Sequence, residues 1–489
     1  MTKEHYLAID LGAGSGRVML GRFDGSTIGV DELHRFPNTG VEVLGRLHWD
    51  PLRLYAEMCR GMGAASGFKP VSLGVDTWGV DFALLDRDGE LIRNPHHYRD
   101  GGTAGKMAEA LGVVSRERIF ECTGLQFMEI NSLFQLFAMK GGPALERASS
   151  LLMMPDLFHY WFTGERVCEF TDATTSQCYD PRRRDWAHSV LKALGIPTGI
   201  FGEVVDPGTD LGALRRPVAE ACGLPAMRVT APGTHDTASA VAAVPARHGD
   251  WAYLSSGTWS LLGVESDRPH VTPEVLAKNF TNEGGVCRTT RLLKNICGLW
   301  LLEECRREWS RHGMGTDYAE LLEGAARCER FRSLVDVDAP EFIPPGDMPG
   351  RIAEACRRTG QPEPRSTGEF ARAIFESLAL RYRSVLGDAG EITGRRPEVL
   401  HIVGGGSRNG LLCQFAADAC GVPVIAGPVE ATAAGNCLMQ GMASGRIGDL
   451  AEARAIVRQS FDLAHYDPDP RAAQGWEDAA GRLADAGPA

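Results

Sequence analysis

The chain has 489 residues, of which 44% are hydrophobic and 23% charged, and its formal net charge is −12. That length exceeds one typical domain and predicts two large ones, each with enough apolar material for a full core. The acidic balance excludes a sequence-independent grip on nucleic acid or anionic lipid, which needs a basic field, but leaves phosphate ligands open, because backbone N–H groups and helix N-termini hold them.

The apolar run in "MTKEHYLAIDLGAG" is short and already contains Asp10, so it predicts no secretory signal, and no later run reaches the roughly 18 apolar residues of a membrane span. Tyr6 to Phe23, "YLAIDLGAGSGRVMLGRF", reads as a β-hairpin around a Gly/Ser turn. Its glycines miss the dinucleotide fingerprint, since Arg17 stands where the third glycine belongs and a strand follows in place of a helix. Such a turn still presents a nest of N–H groups able to hold a phosphate. A plain tight hairpin needs the same residues. Asp10, at the strand end, is placed to hold Mg²⁺ directly or through water. "VSLGVDTWGVDFALLD" is strand-rich. The adjacent His96 and His97 point apart on an extended chain, which predicts a solvated loop pair and not a metal site. "GTAGKMA" misses a P-loop because Met107 replaces the required Ser or Thr.

In "APGTHDTASAV", Asp236 precedes a run of small residues, and two readings stand side by side: an N-cap for a helix, or a proton acceptor. Trp251 to Ser266, "WAYLSSGTWSLLGVES", repeats the design of the first hairpin, which suggests two halves of similar topology. The Pro-rich "DAPEFIPPGDMPG" is expected to be loop. "RSTGEFARAIFESLALRYRSVLGDAG" predicts a long amphipathic helix capped by Ser366 or Thr367 and leaving through glycine. "HIVGGGSRNGLLCQFAADACG" predicts strand, triple glycine and helix, a place where a planar or anionic ligand can approach the backbone. The tail from Ala472 predicts one Ala-rich helix that frays. The 13 cysteines are scattered without a Cys-x-x-Cys pair, and Cys413 and Cys420 lie two helical turns apart, too far to bridge. Unpaired thiols of this kind suit a reducing, cytoplasmic setting. Alternating strands and helices argue for α/β layers, and neither a G-x-S-x-G elbow nor a His-Glu-x-x-His motif supports a hydrolase or a zincin.

Several of these stretches together resemble the FGGY carbohydrate kinases: "DLGAGSGR", "GVDTWGVDF", "THDTASAV", "YLSSGTWSLLGVES", "TNEGG", "LLKNICGLWLLEE", "LHIVGGGSRNGLL" and "AGPVEATAAGN". The order is collinear from Tyr6 to beyond Asn436 and so covers nearly the whole chain. "DTWGVDF" with "LSSGTWSL" points to the rhamnulokinase-like branch, whereas the glycine turns are shared with actin-like ATPases generally. The resemblance implies two actin-like (RNase H-like) α/β domains flanking a catalytic cleft. Residues 1–245 would carry the sugar side and first phosphate turn, 246–462 the nucleotide side, and 463–489 a C-terminal helix and tail. It also implies ATP- and Mg²⁺-dependent phosphorylation of L-rhamnulose at its 1-hydroxyl, with no nucleic-acid or membrane partner.

By the same resemblance Asp236 stands at the general base. His235, Thr237, Gly79 and Asn295 stand at sugar contacts, and Asp10 at the carboxylate near Mg²⁺. Ala13, Gly14, Ser15, Gly16 and Arg17 match the first phosphate turn, Thr258 the second, and Gly405 the adenosine-side glycines. Glu303 stands where this branch often has Gln as a nucleotide contact; a carboxylate there accepts but does not donate. The Phe-Gly-Gly-Tyr tetrad of the family name is absent, and the Pro-rich loop near Phe342 lies in its region. Gly79 replaces the arginine with which glycerol kinases grip glycerol, leaving room for a larger sugar. The alternatives are an FGGY kinase for L-fuculose or xylulose, a non-catalytic sugar-responsive protein, and an actin-like chaperone. The retained Asp236 argues against the second, and the lack of a spare domain for a peptide-binding module against the third.

Overall fold

The computed structural model describes residues 3–247, 249–315 and 317–485, and the chain divides into two compact units. The first comprises Met1–Arg247, Glu265–Leu293 and Glu430–Phe461; the second comprises His248–Val264, Lys294–Val429 and Asp462–Ala489. Both are mixed α/β.

The first unit is built on a six-stranded sheet in which Ser72–Thr77, Glu4–Leu11 and Ser15–Phe23 are consecutive neighbours. Glu4–Leu11 pairs antiparallel with Ser15–Phe23 and parallel with Ser72–Thr77. It is buried from Tyr6 to Leu11, as a central strand covered on both faces must be. Two helices cover Ser15–Phe23 from opposite sides. A Cβ on Gly61 of helix Pro51–Ala64 would strike Val18, whereas one on Gly21 would strike Cys437 of helix Ala431–Ala443, and residues three apart on a strand face opposite ways. Helix Ala431–Ala443 also lies against helix Asp236–Ala242 so closely that a Cβ on Gly435 would fall 1.8 Å from the Ser239 carbonyl oxygen.

The second unit repeats the motif. Trp251–Ser256 pairs antiparallel with Trp259–Ser266 and parallel with Val399–Val403, which pairs parallel with Val424–Ala426. The similar topology expected from the two hairpins is therefore present. The long helix spans Thr367–Thr393, with the Ser366 hydroxyl accepting from the Glu369 N–H at 3.2 Å. It runs through Gly387 and Gly390 and leaves at Gly394, whose φ is 66°. The tail helix is Ala473–Asp485, anchored by the buried Trp476; the residues after Asp485 lie outside the described ones.

Three local expectations change. The Pro-rich stretch is not all loop. Helix Met348–Arg358 starts inside it, because Asp347 caps the Gly350 N–H and Pro349 fits a helix's first turn. His96 and His97 are not solvated: His97 stacks on Trp49 and His96 on His48, with ring centroids 4.0 and 4.6 Å apart, and burial lowers their pKa values to about 3 and about 4. Asp236 is not a helix cap. His235 takes the cap position of helix Asp236–Ala242 without a side-chain capping bond, and Asp236 is the first helical residue. All thirteen cysteines are free. Among the described residues no helix is long and apolar enough to cross a membrane.

Candidate active site

The carboxyl ends of parallel strands are where open α/β sheets bind ligands, and in the first unit those ends are acidic. Asp10 and Asp76 are paired Cα to Cα on the parallel strands Glu4–Leu11 and Ser72–Thr77. Asp10 is ion-paired to Arg17, which also pairs with Glu430. Arg17 was expected in the phosphate turn. Its backbone lies opposite Asp10 in the second strand, and its side chain is committed to these two carboxylates. The turn itself, Gly12 to Gly14, is tied down by Asn38, whose side-chain amide donates to the Gly12 carbonyl at 2.8 Å and whose N–H donates to that of Gly14 at 3.2 Å.

Asp76 is fully buried. Its Oδ2 accepts from Asn436 Nδ2 at 2.5 Å, while Oδ1 is buried with no hydrogen-bond partner. Burial and then the neighbouring Asp10 push its pKa well above the carboxylate range, with Asn436 opposing. Asp236 shows a milder form of the same pattern. Burial raises its pKa, His235 lowers it, Asp10 raises it and hydrogen bonds from Thr237 lower it. Charges that crowd one another in this way suit a cation. Among the described residues no cluster of three or more His, Cys, Asp or Glu could by itself hold a metal ion.

The segment bearing Asp236 is fixed by buried hydrogen bonds. Thr77 N–H donates to the Thr234 carbonyl at 2.8 Å. Glu169 Oε2 accepts from the Thr234 N–H and hydroxyl at 3.0 and 2.6 Å, and the His235 N–H donates to Thr171 Oγ1 at 3.1 Å. Asp236 keeps 29% of its side chain exposed and His235 8%; the Thr237 hydroxyl turns to Asp236 Oδ1 at 3.1 Å. Gly79 lies against Thr175, whose side chain would be 2.9 Å from an added Cβ. Beside it Val80 holds φ at 68°, a conformation β-branched residues rarely adopt. It is kept there by the Thr175 hydroxyl on its N–H (2.9 Å) and the Ser132 hydroxyl on its carbonyl (2.5 Å). The loop is pinned through Asp81, whose Oδ2 accepts from Trp49 and Trp78 indole N–H groups at 2.6 and 3.0 Å and from the Tyr98 N–H at 3.1 Å.

The second unit holds Thr258, Asn295, Glu303 and Gly405. Thr258 sits on the hairpin turn, where its carbonyl and that of Gly257 accept from the Trp300 and Leu299 N–H groups, both at 3.1 Å, so that the turn closes the start of helix Trp300–Arg311. Glu303 is on that helix's first turn, ion-paired to Arg306 at 2.8 Å. Asn295 is half-buried on strand Thr290–Cys297, next to Lys294, whose ammonium burial lowers to about 8. The three consecutive glycines have separate reasons. Gly404 holds φ at 83°, a Cβ on Gly406 would strike Ser256 Oγ, and Gly405 alone faces open space. Only Gly405 therefore keeps the ligand-side explanation.

Sequence reasoning did not single out the buried Asp76 and Glu169, the buried ion pair Glu283–Arg291 (3.2 Å) or Glu430, the partner of Arg17. "GVDTWGVDF", "TNEGG" and "AGPVEATAAGN" contain three of these acids, but burial and pairing, which the residue string does not carry, single them out.

Family models for the FGGY family of carbohydrate kinases match both parts of the chain, the N-terminal domain over residues 5–243 and the C-terminal domain over 252–444. The chain belongs to this family. It is 48% identical to a rhamnulokinase of Bacteroides thetaiotaomicron over 475 residues, 96% of this chain and 97% of that one. It is 44% identical to a rhamnulokinase of Pectobacterium carotovorum over 96% of this chain and 94% of that one. Among solved structures it resembles a gluconate kinase and a xylulose kinase, both of Lactobacillus acidophilus. Their TM-scores are 0.81 and 0.80 at 15% identity, each covering 99% of this chain and 97% of the other, a likeness of fold.

Proposed function

We propose that this carbohydrate kinase transfers the γ-phosphoryl group of ATP to the 1-hydroxyl of L-rhamnulose, with Asp236 accepting the hydroxyl proton. The observation that carries the substrate is the 40–48% identity to rhamnulokinases across almost the entire length. Phosphoryl transfer asks little covalent chemistry of a protein beyond positioning, charge neutralisation and a proton acceptor. Asp236 suits the last of these: it is a partly exposed carboxylate on a helix start held by Thr234, Thr171 and Glu169, and burial brings its pKa upward, toward the range where a base works near neutral pH. Gly79, His235, Thr237 and Asn295 are read as the sugar side. The backbone from Ala13 to Arg17, with Thr258, Gly405 and Glu303, is read as the nucleotide side. Asp10 would hold Mg²⁺, assisted by the unpartnered oxygen of Asp76; bound there, the ion would neutralise charge on the phosphates. Thirteen free thiols support a reducing, cytoplasmic setting. ADP release measured with ATP and a panel of L-rhamnulose, L-fuculose and D-xylulose tests the reading. L-rhamnulose is expected to give the highest kcat/KM, and a clear preference for either other ketose would reassign the substrate.

A further inference from the structure

The hairpin containing "TNEGG" places Glu283 directly across from Arg291, Cα to Cα, so both side chains leave the same face. Arg291 is fully buried, and Glu283 is 5% exposed. The guanidinium is anchored at one end, its Nε donating to the Gly284 carbonyl at 2.7 Å. Its Nη2 lies 3.2 Å from Glu283 Oε2 and 3.0 Å from His235 Nδ1. Nη1 is buried with no hydrogen-bond partner, so the group is oriented for the Nε and Nη2 contacts at the expense of the third nitrogen. A guanidinium only donates. Facing it, His235 Nδ1 must be the acceptor, which puts the ring hydrogen on Nε2. Nε2 is the nitrogen 3.5 Å from Asp236 Oδ1, the oxygen that also takes the Thr237 hydroxyl.

We infer that Arg291 and Glu283 are positioning residues: Arg291, its charge balanced by Glu283, fixes the His235 tautomer with Nε2–H toward Asp236, so that His235 and Thr237 hold Oδ1 and Oδ2 is left to take the substrate proton. The alternative tautomer would turn an Nδ1–H against the Arg291 N–H to reach Glu283 Oε2 at 3.3 Å. It would also leave a bare Nε2 lone pair against the Asp236 carboxylate. The inference rests on the reading of Asp236 as base, and its first test does not.

In the full-length protein labelled with ¹⁵N-histidine, with the His235 resonances assigned by their absence from His235→Gln, two-bond ¹⁵N–¹H correlations report the tautomer directly. The Nε2–H form is expected. The Nδ1–H form or a doubly protonated ring would overturn the inference, and this measurement needs neither Arg291 nor Glu283 replaced. Arg291→Met should then give mixed tautomers and lower kcat by roughly 10- to 100-fold, the scale of a misplaced catalytic group. KM for the ketose should change by less than about threefold, since binding energy common to ground and transition states is untouched. Arg291→Lys, which restores a donor to Nδ1, should recover the Nε2–H form and much of the rate. A folded Arg291→Met that keeps the wild-type tautomer, or that raises KM with kcat intact, would overturn it. Failure of the base reading shows separately: Asp236→Asn with near-normal turnover removes the base and leaves the His235 tautomer as measured.

Discussion

The two oxygens of Asp236 live in different surroundings. Oδ1 faces the Thr237 hydroxyl and the His235 ring, while the carboxylate as a whole is raised in pKa by burial and by Asp10. Asp236→Asn keeps the shape and the Thr237 contact but loses the acceptor, so kcat should fall by about 10²–10⁴, the usual worth of a general base. The ketose should still bind; isothermal titration checks the second point and ADP release the first. Asp10 makes a contrasting case, because its partner is already supplied by Arg17. Asp10→Ala frees that guanidinium to pair with Glu430 alone and removes the oxygen a hard cation prefers. The concentration of Mg²⁺ needed for half-maximal rate should rise at least tenfold, about 1.4 kcal/mol, with ketose binding little changed. An unaltered Mg²⁺ titration would rule out Asp10 as the metal-side carboxylate.

Whole elements bring these residues to their places, and the sequence made some elements plainer than others. The two hairpins and the long helix were legible because period-2 runs, Gly/Ser turns and a Ser cap are local signals. The placement of Asp236 at the first helical residue was less so, since a cap and a first-turn acid look alike in a string. Glu283 and Arg291 were invisible because their partnership is a cross-strand register. His97 misled because the Trp49 ring that buries it lies 48 positions earlier. At this scale Gly435 is the sensitive point. Gly435→Ala drives a methyl into the Ser239 carbonyl of the helix that begins at Asp236, and overpacking of this kind costs about 1–3 kcal/mol. A lower urea midpoint together with reduced kcat is expected, whereas loss of stability alone would show that helix Asp236–Ala242 gives way without moving its first residue. The loop carrying Gly79, Val80 and Asp81 offers a pH test. Burial raises Asp81 to about 7 despite its indole donors. A raised carboxylate contributes stability that is complete below the unfolded value of about 3.9 and is lost as pH rises through 7. Asp81→Asn, whose amide can still present its oxygen to both indoles, should flatten the fall in urea midpoint between pH 4 and 7. An unchanged slope would assign that fall to other groups.

At the scale of the molecule, the chain order and the compact units do not coincide. The family models are contiguous, 5–243 and 252–444, yet the first unit also takes Glu265–Leu293 and Glu430–Phe461. The borrowed pieces are central to it. Helix Ala431–Ala443 buries Leu438 and Met439, each worth about 1.5–3 kcal/mol when removed from water. Its Gln440 amide donates to the Leu7 carbonyl at 2.8 Å and its Asn436 to Asp76, so deleting the helix strands buried polar groups at about 1–3 kcal/mol apiece. The hairpin strand Thr281–Gly284 supplies the Asn282 amide that donates to the Gly124 carbonyl at 2.8 Å, and Gly284 N–H donates to Thr174 at 2.7 Å. Together these losses are comparable with the whole net stability of a domain, about 5–15 kcal/mol. A fragment of residues 1–247 should therefore lack a cooperative urea transition and near-ultraviolet circular dichroism, although it contains Asp10, Asp76 and Asp236. Co-expressed with residues 248–489 it should co-purify, because the second fragment carries the helix and hairpin that the first requires. A fragment 1–247 that unfolds cooperatively by itself, with the protection of Leu7 and Gly74 amides from hydrogen exchange seen in the full chain, would show that helix Ala431–Ala443 covers a core already complete without it.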